Sequence, residues 1–158
     1  MNVEMSFVHT DSRDALLEKI ASRLKGSPDS PGSQPDWGLP SSYDVLLAPE
    51  RKRKIGVSPI QGGWVAVVES KEVVDFALLQ SISITLKAEV IAIQVSDVTG
   101  SCGRALCRAG VVQEKYFSED DEDPLTSTRS YLKNCGVPFD ILTFREAIQL
   151  RSTGWVIL

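Results

Sequence analysis

The run Trp64-Val-Ala-Val-Val68 is apolar at every position. An extended segment points successive side chains to opposite faces, so such a run reads as a strand that needs cover on both sides. Residues 88–96 (Ala-Glu-Val-Ile-Ala-Ile-Gln-Val-Ser) read as a second central strand. Between them, Val74, Leu78, Ile82 and Leu86 recur on one helical stripe, with Ala77 and Leu79 beside it. That spacing predicts a helix over 71–87, with Ser70 as its N-cap. A covered sheet and a packed helix are therefore the first constraint on the chain.

The rest of the sequence extends the pattern. Leu16, Leu17, Ile20, Ala21 and Leu24 mark one face of a helix over 12–25, with Glu18, Lys19 and Arg23 outside and Gly26 as a stop. Residues 5–9, 43–49, 54–60, 104–109 and 111–117 read as further strands, and Trp155-Val-Ile-Leu158 as a closing strand or apolar tail. Shorter helices are expected over 125–134 and 144–151. The expected fold class is α+β, a mainly antiparallel sheet of about six to eight strands with two principal amphipathic helices on one face and short C-terminal helices. Leu16–Lys25 and Leu78–Lys87 are identical at five of ten positions. A duplicated β-α-β-β unit would give that match, but so would the shared Leu and Ile spacing of amphipathic helices.

A length of 158 residues suits one domain and buries enough surface to fold without disulfide or metal. Within it, 26–42 holds Pro28, Pro31, Pro35 and Pro40 among Ser and Gly, and reads as a surface loop anchored by Trp37 and Leu39. Seventeen Lys and Arg against 21 Asp and Glu leave a net charge of −4. That balance disfavours nucleic acid and anionic membrane as partners. Met1–Met5 leads into Ser6 and charge rather than an apolar signal region, and the apolar runs are too short to span a bilayer. Cys102, Cys107 and Cys135 are odd in number and lack paired spacing. They read as reduced thiols, and the expected location is the cytoplasm.

Candidate catalytic groups are sparse. His9 is the single histidine, so any Ser–His–Asp or Cys–His site must use it; its place at a strand end equally suits packing. One histidine and cysteines without standard spacing give no zinc pattern, and no cofactor is expected. Gln61-Gly62-Gly63 precedes a strand, the wrong order for a phosphate-cradling loop. Arg51–Lys54 reads as a solvated hairpin tip. Glu69, Asp75 and Asp97 are acids that could line a pocket for acid–base work. The three tryptophans read as packing anchors.

The most distinctive feature is the run Glu119-Asp120-Asp121-Glu122-Asp123. It lacks the glycine and the distant glutamate of a calcium-binding helix–loop–helix. Its charge suits the start of the helix after Pro124, and it also suits a basic protein partner. Tyr116 and Phe117 precede it and could anchor such a contact. A small acidic α+β domain with this loop has the general character of an immunity- or antitoxin-like inhibitor, a non-enzymatic protein-binding domain. Two alternatives stand beside it. One is a homo-oligomeric structural or regulatory subunit joined through Trp155–Leu158. The other is a small-ligand binder or enzyme with a carboxylate-lined pocket at Glu69 and Asp97.

Overall fold

A computed structural model of the chain describes residues 2–26, 34–40, 54–69, 74–141 and 154–158. The expected strand 43–49, the expected helix 144–151 and Arg51–Arg53 lie outside the described residues. The elements run β1 (Asn2–His9), α1 (Arg13–Gly26), β2 (Ile55–Val57), β3 (Trp64–Glu69), α2 (Phe76–Thr85), β4 (Glu89–Ser96), β5 (Ser101–Arg108), β6 (Val111–Ser118), α3 (Pro124–Asn134) and β7 (Val156–Ile157). The strands form one seven-stranded sheet in the order β6-β5-β4-β1-β3-β2-β7, with every pair antiparallel. This is an α+β fold built on a large antiparallel sheet. No helix among the described residues is long and apolar enough to cross a membrane.

Strand parity divides the core in two. Val8, Val65, Val90 and Ala105 point to one face and share an apolar cluster with Leu16 and Ile20 of α1 and Phe76, Leu79 and Ile82 of α2. Phe7, Ala66, Ile91 and Leu106 point to the other and share a cluster with Leu132 of α3, Val137 and Ile141. A one-residue slip of any central strand would exchange these two sets.

Several boundaries depart from the sequence reading. β1 starts at Asn2 rather than residue 5 because Asn2 pairs with Ser96, a contact no local pattern announces. β2 stops at Val57: Pro59 supplies no N–H, and the Ser58 hydroxyl accepts from the Ala66 N–H at 2.8 Å. The described part of the expected 71–87 helix begins only at Phe76. Asp75 caps it, its carboxylate accepting from the Leu78 N–H at 2.9 Å. It ends at Thr85, and Lys87 takes a positive φ of 52°. The residues of the internal echo therefore differ in structure at their ends: Leu24 and Lys25 are helical, whereas Leu86 and Lys87 are not.

The β5–β6 hairpin turns on Ala109 and Gly110, both at positive φ, the geometry of a tight two-residue turn. Its tip is tied to α2, where Gln80 donates to the Gly110 carbonyl at 2.8 Å and the Gly110 N–H donates to Ser83 Oγ at 3.2 Å. That anchor fixes the edge of the sheet on which the candidate site is built.

Candidate functional site

The acidic loop does two jobs. Asp121 turns inward: it accepts from the Cys102 thiol at 3.2 Å, the Asp123 N–H at 2.9 Å and the Ser127 hydroxyl at 3.1 Å. Its own N–H donates to the Gly100 carbonyl at 2.8 Å, pinning the loop to the β4–β5 turn. Asp123 caps α3, accepting from the Thr126 N–H at 3.1 Å, and Pro124 follows at the first helical position. Glu119, Asp120 and Glu122 remain exposed and form no ion pair with the described residues. Two of the five acids are thus structural, and three are presented to solvent on a fixed frame.

The electrostatics of the inward pair follow from this arrangement. The hydrogen bond from the Cys102 thiol, and then that from the Asp123 N–H, hold the Asp121 carboxyl below the usual range. Burial, reinforced by the Asp121 charge, pushes the Cys102 thiol up to about 11. Burial also raises Cys107 and Cys135. All three cysteines are free of disulfides, and burial disfavours the thiolate, the nucleophilic and metal-ligating form.

Tyr116 and Phe117 are both partly exposed, but they stand on opposite faces of β6. Phe117 pairs with Gly103, on the α1–α2 side, where a Cβ added to Gly103 would lie 3.0 Å from its ring. Tyr116 pairs with Arg104 on the α3 side. The acidic loop and Tyr116 share a surface with α3, and Phe117 does not face it.

That surface contains an open cleft of about 370 Å³ lined by Arg104, Tyr116, Asp121, Ser127, Ser130, Tyr131 and Asn134. The helical spacing of α3 builds one wall. Pro124, Thr128 and Leu132 are buried at i, i+4, i+8, and Ser127, Ser130, Tyr131 and Asn134 form the adjacent stripe. The other wall is the Arg104–Tyr116 cross-strand pair. The Arg104 guanidinium carbon lies 4.4 Å from the ring centroids of both Tyr116 and Tyr131, a cation between two aromatic faces. Arg104 and Tyr131, absent from the sequence-derived candidates, are the centre of this site. The available signal was a charged residue between Cys102 and Leu106, where strand alternation places it on the apolar side.

The other candidates fall elsewhere. His9 is exposed at the end of β1, with its ring 4.9 Å from that of Trp64. Glu69 and Asp75 line a cavity of about 10 Å³, room for a single water, and Asp97 is exposed in the β4–β5 turn outside its lining. No group of His, Cys, Asp and Glu among the described residues has the arrangement of a metal site. The C-terminal segment, read as a closing strand or apolar tail, forms an edge strand of the sheet: Val156 and Ile157 pair with Val57 and Gly56, and Leu158 exchanges both backbone hydrogen bonds with Ile55. Arg13 holds this edge from α1, donating to the carbonyls of Val57 and Gly154 at 2.9 and 2.6 Å.

No family model matches the chain, and no curated protein and no solved structure matches it either.

Proposed function

We propose that the chain is a protein-binding domain, of the immunity- or antitoxin-like inhibitor kind, that meets a basic partner with its acidic loop. The observation carrying this reading is the division of labour in the loop. Asp121 and Asp123 spend their charge on the fold, and Glu119, Asp120 and Glu122 stand exposed beside Tyr116. A fixed patch of one sign accelerates encounter with the opposite sign, and an adjacent aromatic residue supplies the anchoring contact area. A binding rather than catalytic role is supported by the packing of His9 on Trp64 and by the raised thiols. The three unpaired cysteines favour a reducing cytoplasm as its location.

The test uses the triple variant Glu119→Gln, Asp120→Asn, Glu122→Gln, whose side chains hold no described structural contact. The wild-type domain captures its partner from native lysate, and association rates of both forms are then measured across ionic strength. The expected result is a roughly tenfold slower association at low salt and a flattened salt dependence. Equal rates and equal salt slopes would remove the acidic loop from the function.

A further inference from the structure

We infer that the cleft between β6 and α3 is a receptor for a carboxylate group, gripped by the edge of the Arg104 guanidinium. This goes beyond the acidic loop and does not depend on the partner being basic. The guanidinium carbon lies over two aromatic rings, those of Tyr116 and Tyr131, at 4.4 Å from each centroid. Its N–H donors lie in the guanidinium plane and point outward from that carbon. Arg104 donates no hydrogen bond to a described residue. The nearest carboxylate oxygen, Glu114 Oε1, stands 3.7 Å from Nε, too far for one. Nε is buried without a partner, so the terminal nitrogens are the donors that remain for the cleft.

A guanidinium held against two aromatic rings has already lost much of its rotamer freedom, so a planar acceptor meets a fork set in place beforehand. Ser130 and Asn134 add a hydroxyl and an amide on the α3 wall, whereas the Ser127 hydroxyl is already given to Asp121. The Tyr131 hydroxyl is turned to the Cys135 thiol, so it is not counted among the groups open to a ligand. Charge selects between anions. Asp121 lines the same cleft and Glu114 flanks Arg104, so a phosphate dianion meets twice the repulsion that a carboxylate monoanion meets. The volume admits a small organic acid or the carboxyl end of a peptide.

The experiment is a nuclear magnetic resonance titration of the full-length ¹⁵N-labelled chain. The probes are acetate, an N-acetylated glycine tripeptide with a free carboxyl end, the same peptide amidated, and inorganic phosphate. Saturable shifts are expected at the Arg104 Nε–H and the Ser130 and Asn134 amides with the carboxylate probes, in the millimolar range for groups this small. The amidated peptide and phosphate bind at least about tenfold more weakly if the fork reads a carboxylate. Tighter binding of the free tripeptide than of acetate assigns the group to a chain end, and equal binding assigns it to a small acid. Arg104→Lys keeps the charge without the planar fork and weakens binding about tenfold. Asn134→Ala, at an exposed helical position, keeps the fold and also weakens it, so a misfolded Lys variant does not shelter the proposal. The inference is overturned by absence of saturable shifts with both carboxylates, by equal shifts from the amidated peptide, or by undiminished binding to a folded Arg104→Lys.

Discussion

Removing the Asp75 carboxylate separates three elements at once. Asp75 is fully buried at the head of α2. It caps that helix through the Leu78 N–H at 2.9 Å, accepts from Arg23 Nε of α1 at 3.1 Å, and is approached by Gln34 Nε2 at 3.4 Å. Asp75→Ala loses the cap, about 1 kcal/mol. It also strips Arg23 of this carboxylate. Breaking a fully buried pair costs several kcal/mol, but the Arg23 side chain is 29% exposed and can turn to water, which reduces that part to about 1 kcal/mol. The long Gln34 contact adds little. The sum is about 2 kcal/mol, or a fall in Tm of roughly 4–8 °C for a chain of this size. Asp75→Asn keeps an oxygen for the cap but turns an amide N–H toward Arg23 Nε, so it keeps the cap and loses the Arg23 contact, at a cost of about 1 kcal/mol. Urea unfolding at neutral pH, followed by tryptophan fluorescence, measures both, with Arg23→Ala completing a double-mutant cycle. An Asp75→Ala midpoint equal to wild type would falsify the assignment. In the Arg23→Ala background, where no donor faces position 75, an Asn variant as costly as the Ala variant would show that the cap contributes nothing.

Three further outcomes follow from the site and the sheet. Deleting residues 155–158 uncovers the β2 edge, so the truncated chain unfolds at lower urea and gains association in light scattering; a tail that joined neighbours would give the opposite change in association. In a Cys107→Ala, Cys135→Ala background, Cys102 titrates near 11 by thiolate absorbance, and Asp121→Asn lowers it by removing a neighbouring negative charge. The same substitution blunts acid unfolding. The lowered Asp121 group stabilises the fold above its unfolded-state value, and that contribution is lost as pH falls through its folded value.

The elements legible in the sequence are those whose signal is local. Leu16 and Ile20, four apart, announce α1, and the apolar run at 90–93 announces β4. What escaped depended on distant residues. The start of β1 is set by Ser96, and the opening of α2 by the Asp75 cap, which its apolar stripe does not encode. Arg104 becomes a site only when β6 brings Tyr116 opposite it and α3 lays Tyr131 against it as well. The acidic run was visible as charge, yet its division into inward and outward acids needed Cys102, Gly100 and Ser127 in place.

The position of β1 has a consequence for synthesis. It lies between β3 and β4, so its two hydrogen-bonding edges are completed only by segments made much later, the second ending at Ser96. On the ribosome, Phe7 and Val8 emerge with no partner for either side, and the nascent chain cannot close a stable half-sheet ahead of β4. Such long-range closure makes folding slow, and it leaves an apolar strand open to chaperones or to wrong pairing until well over half the chain has emerged.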